Sequence, residues 1–170
     1  MKEKLEKQLY AKYPEIFGQH TLDTTKTRMC DGFACGDGWY GIIDSLCALI
    51  QNHVENERRN IEYKNKQDGT KLDPKSFKVE ATQVKEKFGD LRFYIDGGDD
   101  YVYGLIAFAS YISGQTCEDC GSNKNVTKTN NGWIRSLCSK CHKKTQSKKH
   151  REMQAAKLIK AAKKTCKNKG

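Results

Sequence analysis

The apolar residues of this 170-residue chain recur with two different periods, and the changes between them predict the order of its elements. Near the N-terminus, Leu5, Leu9 and Tyr13 stand four residues apart, which places them on one face of a helix over residues 2–12. The next segment, residues 19–38, is rich in threonine, aspartate and glycine, and this composition predicts a loop.

A second helix is predicted from Trp39 to Arg59, with Asp37 as its N-cap. Cys47 lies beside the apolar stripe of this helix, and we expect it to join the core. The polar residues 63–76 that follow predict an exposed loop. The stripe itself consists of Ile42, Ile43, Leu46, Leu49, Ile50 and Val54.

Residues 77–95 change to a period of two, which predicts a β-hairpin that turns at the Gly-Asp dipeptide of residues 89–90. Val84, Glu86 and Phe88 alternate with lysines along its first strand. We expect one face of the hairpin to pack on the second helix. The opposite face presents Lys85, Lys87, Arg92 and Tyr94.

A third helix is predicted from Asp100 to Ser113, and the aspartates of DGGDD at residues 96–100 supply its cap. Its apolar residues are expected to face inward: Val102, Leu105, Ile106, Ala109 and Ile112. The pattern predicts an α+β domain over residues 1–116, made of a helix, a loop, a helix, a β-hairpin and a helix.

The charge of the chain is divided unevenly along its length. The formal net charge is +10. Residues 1–116 hold 16 basic and 18 acidic residues, whereas residues 117–170 hold 15 basic and only 3 acidic ones, so the whole basic excess lies in the C-terminal third. A concentrated positive field of this kind attracts nucleic acid or an acidic protein surface. Residues 147–170 are predicted to form a basic C-terminal helix or tail.

The chain turns basic at a pattern of metal-ligand type. Two C-x2-C pairs are separated by 17 residues, and this spacing predicts one structural zinc ion that is bound by Cys117, Cys120, Cys138 and Cys141. Gly121, just after the first pair, is expected to adopt a positive φ so that backbone N–H groups point at sulfur. Four thiolates leave no open position for water, so the zinc is expected to be structural and not catalytic.

The residues around the zinc ligands predict a treble-clef-like finger over residues 117–146. A small hairpin turns at residues 131–132, with Trp133 as the core of the finger, and a helix begins at the second pair. We expect Asn131 and Arg135 to make any sequence-specific contacts. Lysines and one arginine are expected to contact phosphates: Lys140, Lys143, Lys144, Lys148, Lys149, Arg151, Lys157 and Lys160.

The remaining cysteines leave a second metal site open as an alternative. Cys30 and Cys35 lie in a glycine-rich loop with His20 upstream, and Cys47 follows. Because a four-residue gap between the two loop cysteines is unusual for a zinc knuckle, thiols in the loop or in the core are the simpler interpretation.

Two families resemble parts of this chain. The stretch LCSKCHKKTQSKK resembles the closing knuckle of HNH endonucleases, which use a treble clef. In that family a catalytic histidine lies between the knuckles, whereas residues 121–137 contain no histidine and no aspartate. We therefore expect no nuclease activity, because the general base is missing, and no catalytic residue is assigned.

The second resemblance covers residues 29–141. The stretches MCDGFACGDGWYGIIDSLC, QVKEKFGDLRFYI, and CEDCG followed by GWIRSLCSKC are similar to a family of small phage- and prophage-encoded zinc-finger proteins. That family has no assigned activity. The resemblance implies a phage or mobile-element origin and the cytoplasm of a bacterial host.

These observations predict a non-enzymatic zinc protein that binds DNA or RNA, mainly through phosphates. The alternative is a phage-encoded protein that binds and inhibits or redirects a host protein, such as a defence component or RNA polymerase. The N-terminus has no apolar signal segment, and no apolar run is long enough for a membrane span, so no membrane partner is expected. The oligomeric state stays open.

Overall fold

The computed structural model describes residues 1–130, 132–148 and Met153. It has the predicted α+β class, with a four-cysteine group in its C-terminal part. The helices are α1 (Glu3–Lys12), α2 (Tyr40–Asp68), α3 (Asp100–Gly114) and α4, described over residues 139–148. The strands are β1 (Phe33–Ala34), β2 (Val79–Lys87), β3 (Asp90–Gly97), β4 (Val126–Lys128) and β5 (Ser136–Cys138).

The segment predicted as a loop over residues 19–38 also contains a strand. β1 pairs in parallel with β2, with Phe33 opposite Val84, so the hairpin becomes a sheet in the order β1-β2-β3. The backbone N–H of Phe33 donates to the Glu6 carboxylate over 3.1 Å, and the N-terminal ammonium of Met1 donates to the Phe33 carbonyl over 2.7 Å. A two-residue strand has no period of its own, so only these tertiary contacts define it.

Helix α2 is longer than predicted and is capped differently. It continues past Arg59 to Asp68 and ends where Gly69 adopts a φ of 64°. Residues 60–68 contain neither glycine nor proline, so nothing breaks the helix before that point. Asp37 is not the N-cap, because its carboxylate accepts a hydrogen bond from the backbone N–H of Lys2 over 2.8 Å and pairs with the Lys2 ammonium.

The predicted hairpin is confirmed, with one correction at its turn. The turn residues are Phe88 and Gly89, with φ values of 57° and 81°, and Lys87 pairs with Asp90. Phe88 is therefore not an inward residue of the strand but is 62% exposed. Lys87 and Tyr94 are exposed as predicted, and the Lys85 ammonium lies 5.4 Å from the centre of the Tyr94 ring. Arg92 is instead partly buried, because its guanidinium donates to the Ser110 hydroxyl of α3 over 2.7 Å.

One hydrophobic core joins α1, α2, the sheet and α3. Trp39, Phe17, Ile43, Leu91 and Val102 are among its fully buried side chains. Cys47 is also buried there, as predicted, whereas Leu49 of the predicted stripe is 46% exposed. Burial of side chains of this size supplies the main favourable term in folding.

Helix α3 begins at a cap that the sequence predicted. The Asp99 carboxylate accepts hydrogen bonds from the Val102 backbone N–H over 3.1 Å and from His53 Nε2 over 2.8 Å. Burial alone would raise the pKa of Asp99, but these two donors outweigh it, and the net effect is a lowered pKa. The pair connects the start of α3 to the middle of α2.

We expect Asp99→Ala to lower the free energy of unfolding by about 1 kcal/mol, because the N-cap is lost. Asp99→Asn keeps a capping oxygen but loses the charge. Since the pKa of Asp99 is lower in the folded chain, the charge stabilises the fold at neutral pH, and this contribution is lost as the pH falls through the folded pKa. Urea unfolding at pH 7 and at pH 3 measures both effects. An Asp99→Asn deficit of equal size at both pH values would contradict the assignment.

Candidate metal centre

The four predicted zinc ligands come together in space. The sulfurs of Cys117, Cys120, Cys138 and Cys141 all lie within 4.8 Å of one another. The Cys120 and Cys138 sulfurs are 3.7 Å apart. Four sulfurs placed tetrahedrally about 2.3 Å from a zinc ion would be roughly 3.8 Å apart, so the cluster has the size of a zinc site.

Each cysteine pair lies on a short turn with its own backbone support. At the first knuckle, the Gly121 N–H donates to the Cys117 carbonyl over 2.8 Å, and Gly121 has the predicted positive φ, 75°. At the second knuckle, Cys138 ends β5 and Cys141 lies in the first turn of α4. The order of knuckle, hairpin and helix agrees with the predicted treble-clef-like layout.

The hairpin between the knuckles is short and is closed by Thr129. β4 pairs antiparallel with β5, and Val126 lies opposite Cys138. Beyond the strands, the Thr129 N–H donates to the Arg135 carbonyl over 2.9 Å, and the Thr129 hydroxyl donates to the Trp133 carbonyl over 2.9 Å. Asn131, at the predicted turn, lies outside the described residues.

Three of the four cysteines are buried, and Cys120 is exposed. Burial raises the pKa of the Cys117 and Cys141 thiols, whereas the backbone N–H of Cys141 lowers the pKa of Cys138 to about 7. A zinc ion held here would bind all four sulfurs as thiolates, so binding displaces the thiol protons. Four protein ligands complete a tetrahedral shell, which suits a structural ion.

The first knuckle sits directly on the backbone of the Gly36–Gly38 loop. The Gly38 N–H donates to the Glu118 carbonyl over 2.8 Å, and the Gly36 N–H donates to the Glu118 carboxylate over 3.0 Å. A Cβ atom at Gly38 would collide with the Cys117 carbonyl oxygen, and one at Gly36 would collide with the Glu118 carbonyl oxygen. Only glycine allows the two backbones to approach so closely.

Glu118 also connects the knuckle to Arg135. Only 4% of Glu118 is exposed, and its carboxylate accepts from Arg135 Nε over 2.8 Å, while Asp119 accepts from Arg135 Nη2 over 2.6 Å. A buried carboxylate is tolerated only when such donors satisfy it. Arg135, predicted to contact nucleic acid, is thus placed by the structure in a double ion pair inside the finger.

Further polar contacts join the finger to the N-terminal part of the chain. Trp39 Nε1 donates to the Thr116 carbonyl over 2.9 Å, and the Ser136 hydroxyl donates to the Gly89 carbonyl over 2.6 Å. The Lys128 ammonium pairs with Asp90 at 2.8 Å. The finger therefore contacts the start of α2 and the turn of the β2–β3 hairpin.

Helix α4 carries the lysines that were predicted to bind phosphate. Lys140, Lys143, Lys144 and Lys148 are exposed along it. Lys143, Lys144 and Lys148, together with Ser147, line a shallow surface depression. The other predicted binding residues lie outside the described part of the chain: Asn131, Lys149, Arg151, Lys157 and Lys160.

Trp133 does not form the core of the finger. The indole is 72% exposed, and fully buried Leu137 with partly buried Val126 packs around the cysteines instead. Trp133 borders a cleft of about 300 Å³ that Phe88 and Lys87 of the neighbouring hairpin also line. The prediction of a buried tryptophan was wrong because the hairpin places residue 133 beyond its paired strands.

Among the described residues, Cys30, Cys35 and Cys47 form no second metal-type cluster. Within residues 1–130, 132–148 and Met153, the only group of three or more suitable ligands is the four-cysteine group. The Cys30 thiol donates to the Thr27 carbonyl, and the His20 ring stacks on Tyr10 with 4.2 Å between ring centroids. Burial raises the pKa of Cys35 to about 12 and keeps this thiol protonated at neutral pH.

Sequence reasoning missed the role of Glu118 and of the Gly-Asp-Gly stretch. A signal was present in the charges. Only three acidic residues occur in residues 117–170, and two of them, Glu118 and Asp119, lie between the first two cysteines. When the acidic residues of a basic segment are concentrated in a single knuckle, they indicate a cationic partner within that segment. In the structure this partner is Arg135.

Comparison of the chain with protein-family models, with curated proteins and with solved structures gives no match. In the described part of the chain, no helix combines the length and the apolar character that crossing a membrane requires. The function is therefore inferred from the site itself.

We expect about one zinc ion per folded chain, measured by elemental analysis after dialysis. Cys138→Ser should remove the metal, whereas Cys30→Ser, a thiol outside the cluster, should keep it. Zinc should also be released on acidification, because protons compete for the four thiolates. A zinc content below about half an ion per chain would contradict a structural site of this kind.

We expect Gly38→Ala to lower the free energy of unfolding by about 1–3 kcal/mol, because the added methyl group would clash with the Cys117 carbonyl and displace the first knuckle. Gly41→Ala is the matched control. A Cβ at Gly41 meets nothing within 4 Å, so alanine in this helix should be neutral or stabilising by up to about 1 kcal/mol. Thermal unfolding of both variants checks this, and equal effects would refute the seating contact.

Proposed function

We propose that this chain is a non-enzymatic, zinc-stabilised protein of phage origin that binds nucleic acid through its lysine-rich C-terminal third, largely by phosphate contacts. The observation that carries the proposal is the row of lysines on α4. Lys140, Lys144 and Lys148 follow one another every four residues on one face of the helix, and all are exposed. At about 1.5 Å per residue, this row is roughly 12 Å long.

The four-cysteine site supports this function by fixing the helix that carries the lysines. Cys141 lies in the first turn of α4, so a bound zinc ion would join that turn to both the first knuckle and β5. A short lysine-rich helix is only marginally stable by itself. Anchoring one end lowers the conformational entropy that is lost when its side chains contact a polyanion.

The distribution of charge also favours a polyanion. The two acidic residues of the finger, Glu118 and Asp119, both pair with Arg135 inside the finger. Lysine contacts with phosphates release condensed counterions, so the affinity falls steeply with salt and depends little on base sequence.

Two exposed aromatic side chains favour a single-stranded ligand over a duplex. Trp133 is 72% exposed and Phe88 is 62% exposed, and both border the same cleft together with Lys87. Unpaired bases stack on aromatic rings, whereas paired bases are already stacked in the duplex. Phe88 also has a φ of 57°, which is rare for a bulky residue and is more common at functional sites.

The proposal includes no catalytic step. No histidine and no aspartate occurs in residues 121–137, where an HNH nuclease carries its general base. The alternative function, binding of a host protein, predicts a partner that stays bound after nuclease treatment. A pull-down from host lysate with and without nuclease separates the two.

We expect Lys140, Lys144 and Lys148, the row on α4, changed together to glutamine, to weaken binding of single-stranded DNA at low salt by tenfold or more. The slope of log affinity against log salt should become shallower by about 0.7 for each phosphate that the variant no longer neutralises. The matched control changes the exposed residues Lys64, Lys66 and Lys71 to glutamine, which removes the same charge from α2 and the loop after it. Gel-shift titrations at several salt concentrations measure both variants, with zinc content checked for each. Equal losses of affinity in both variants would refute a site on α4.

Trp133→Ala should weaken binding of single-stranded DNA by about five- to tenfold, which corresponds to the loss of one base-stacking interaction of roughly 1–1.4 kcal/mol. Binding of duplex DNA should change little, because its bases are not available to the indole. Fluorescence titration with both ligands makes the comparison. An equal loss of affinity for duplex and single strand would contradict a stacking role.

A further inference from the structure

The outer face of α3 is aromatic and almost uncharged. Tyr101, Tyr103, Phe108 and Tyr111 are each between 54% and 67% exposed. Within Asp100–Gly114 the only charged side chain is that of Asp100, at the first position. The inner face packs on the core through Val102 and Ala109. On the outer side the Tyr101 ring lies 4.5 Å from the His53 ring of α2, whereas Phe108 and Tyr111 are 64% and 67% exposed.

The aromatic stripe is as large as the largest apolar patches that soluble monomers expose, and such patches are often functional. Tyr101, Phe108 and Tyr111 follow one stripe of the helix, whereas Tyr103 projects from its other flank. A large aromatic side chain presents about 200 Å² when it is fully accessible, so the three on the stripe, each more than half exposed, present roughly 370 Å² together. Soluble monomers rarely expose continuous apolar patches larger than a few hundred Å². The patch therefore indicates a surface that is covered in the working state of the protein.

Gly104 is a second, independent observation on the same face. A Cβ atom at Gly104 would meet nothing within 4 Å, so no contact in the described part of the chain requires a glycine there. Glycine is also disfavoured in the interior of a helix compared with alanine. It lies between Tyr101 and Phe108 and leaves a gap between two rings, which suits close approach of another surface.

We propose that two copies of this chain pair through the outer faces of α3 in an antiparallel, two-fold arrangement. If two α3 helices cross at residue 106, residues equally far on either side of it lie opposite one another. Phe108 of each copy then lies over Gly104 of the other, and Tyr101 lies beside Tyr111. The face is self-complementary, which is the requirement for an isologous dimer.

The charges and the area of this face agree with a second copy as the occupant. A nearly uncharged face does not repel itself, and the antiparallel crossing places the two Asp100 carboxylates at opposite ends of the interface. Two stripes of roughly 370 Å² bury roughly 750 Å² in total, which is less than the roughly 1,000 Å² of a stable specific interface and is the size of a weak, transient one. The small area therefore predicts a weak, reversible dimer that forms only at high protein concentration.

Sedimentation equilibrium of the full chain from about 1 to 200 µM tests the proposal, in high salt and after nuclease treatment so that nucleic acid cannot bridge two copies. We expect a monomer–dimer equilibrium. Gly104→Leu should fill the gap and raise the dissociation constant at least tenfold, and Tyr111→Ala should weaken the dimer similarly. Tyr63→Ala is the matched control, because Tyr63 is 64% exposed but lies on α2.

Circular dichroism checks that both variants are folded. Gly104→Leu and Tyr111→Ala change exposed positions, so each should retain the helical signal of the unmodified chain. A chain that is monomeric at every concentration would overturn the proposal. A dimer that Gly104→Leu and Tyr111→Ala leave intact would also overturn it. So would capture of the α3 face by lipid vesicles while the chain in solution stays monomeric.

Discussion

The packing of the first cysteine knuckle on the backbone of Gly36–Gly38 is the contact on which the arrangement of the other parts depends. Two backbones touch there, since a Cβ atom at Gly36 or Gly38 would collide with the knuckle. The loop ends at Trp39, whose indole nitrogen donates to the carbonyl just before the knuckle. One short segment therefore starts α2, contributes to the core and holds the finger in place.

The contact with the glycine loop also determines where the acidic side chains of the finger lie. Glu118 is buried against the glycine loop and, with Asp119, neutralises Arg135. Burying a carboxylate is costly unless donors surround it, so the ion pair and the glycine N–H groups stabilise one orientation of the knuckle. The lysines of α4 remain on the exposed side. Part of the basic excess in the composition is thereby exposed on a helix whose first turn contains Cys141.

Helix α3 connects this surface to the core. Its inner residues pack on the core shared by α2 and the sheet, and its last residue, Gly114, is three positions before Cys117. The Ser113 hydroxyl accepts from the Leu91 N–H over 2.7 Å, which joins the end of α3 to β3 beside the finger. With α3 held at both ends, by the Asp99 cap and by Ser113, its outer aromatic face is presented on a rigid element.

The sequence by itself determined the elements that have a period or a ligand spacing. The hairpin, the inner face of α3 with its cap, the buried Cys47 and the grouping of the four cysteines were all predicted from a period or a spacing along the chain. Tertiary structure alone decided the rest. β1 forms because β2 and Glu6 hydrogen-bond to its backbone. Asp37 pairs with Lys2 and does not cap α2, and Arg135 pairs with Glu118 inside the finger. Trp133 is exposed and does not fill the core of the finger. For β1, Asp37 and Arg135 the deciding partner is distant in sequence or is a backbone group, and such a partner leaves no periodic pattern. For Trp133 the hairpin decides, because it places residue 133 beyond its paired strands.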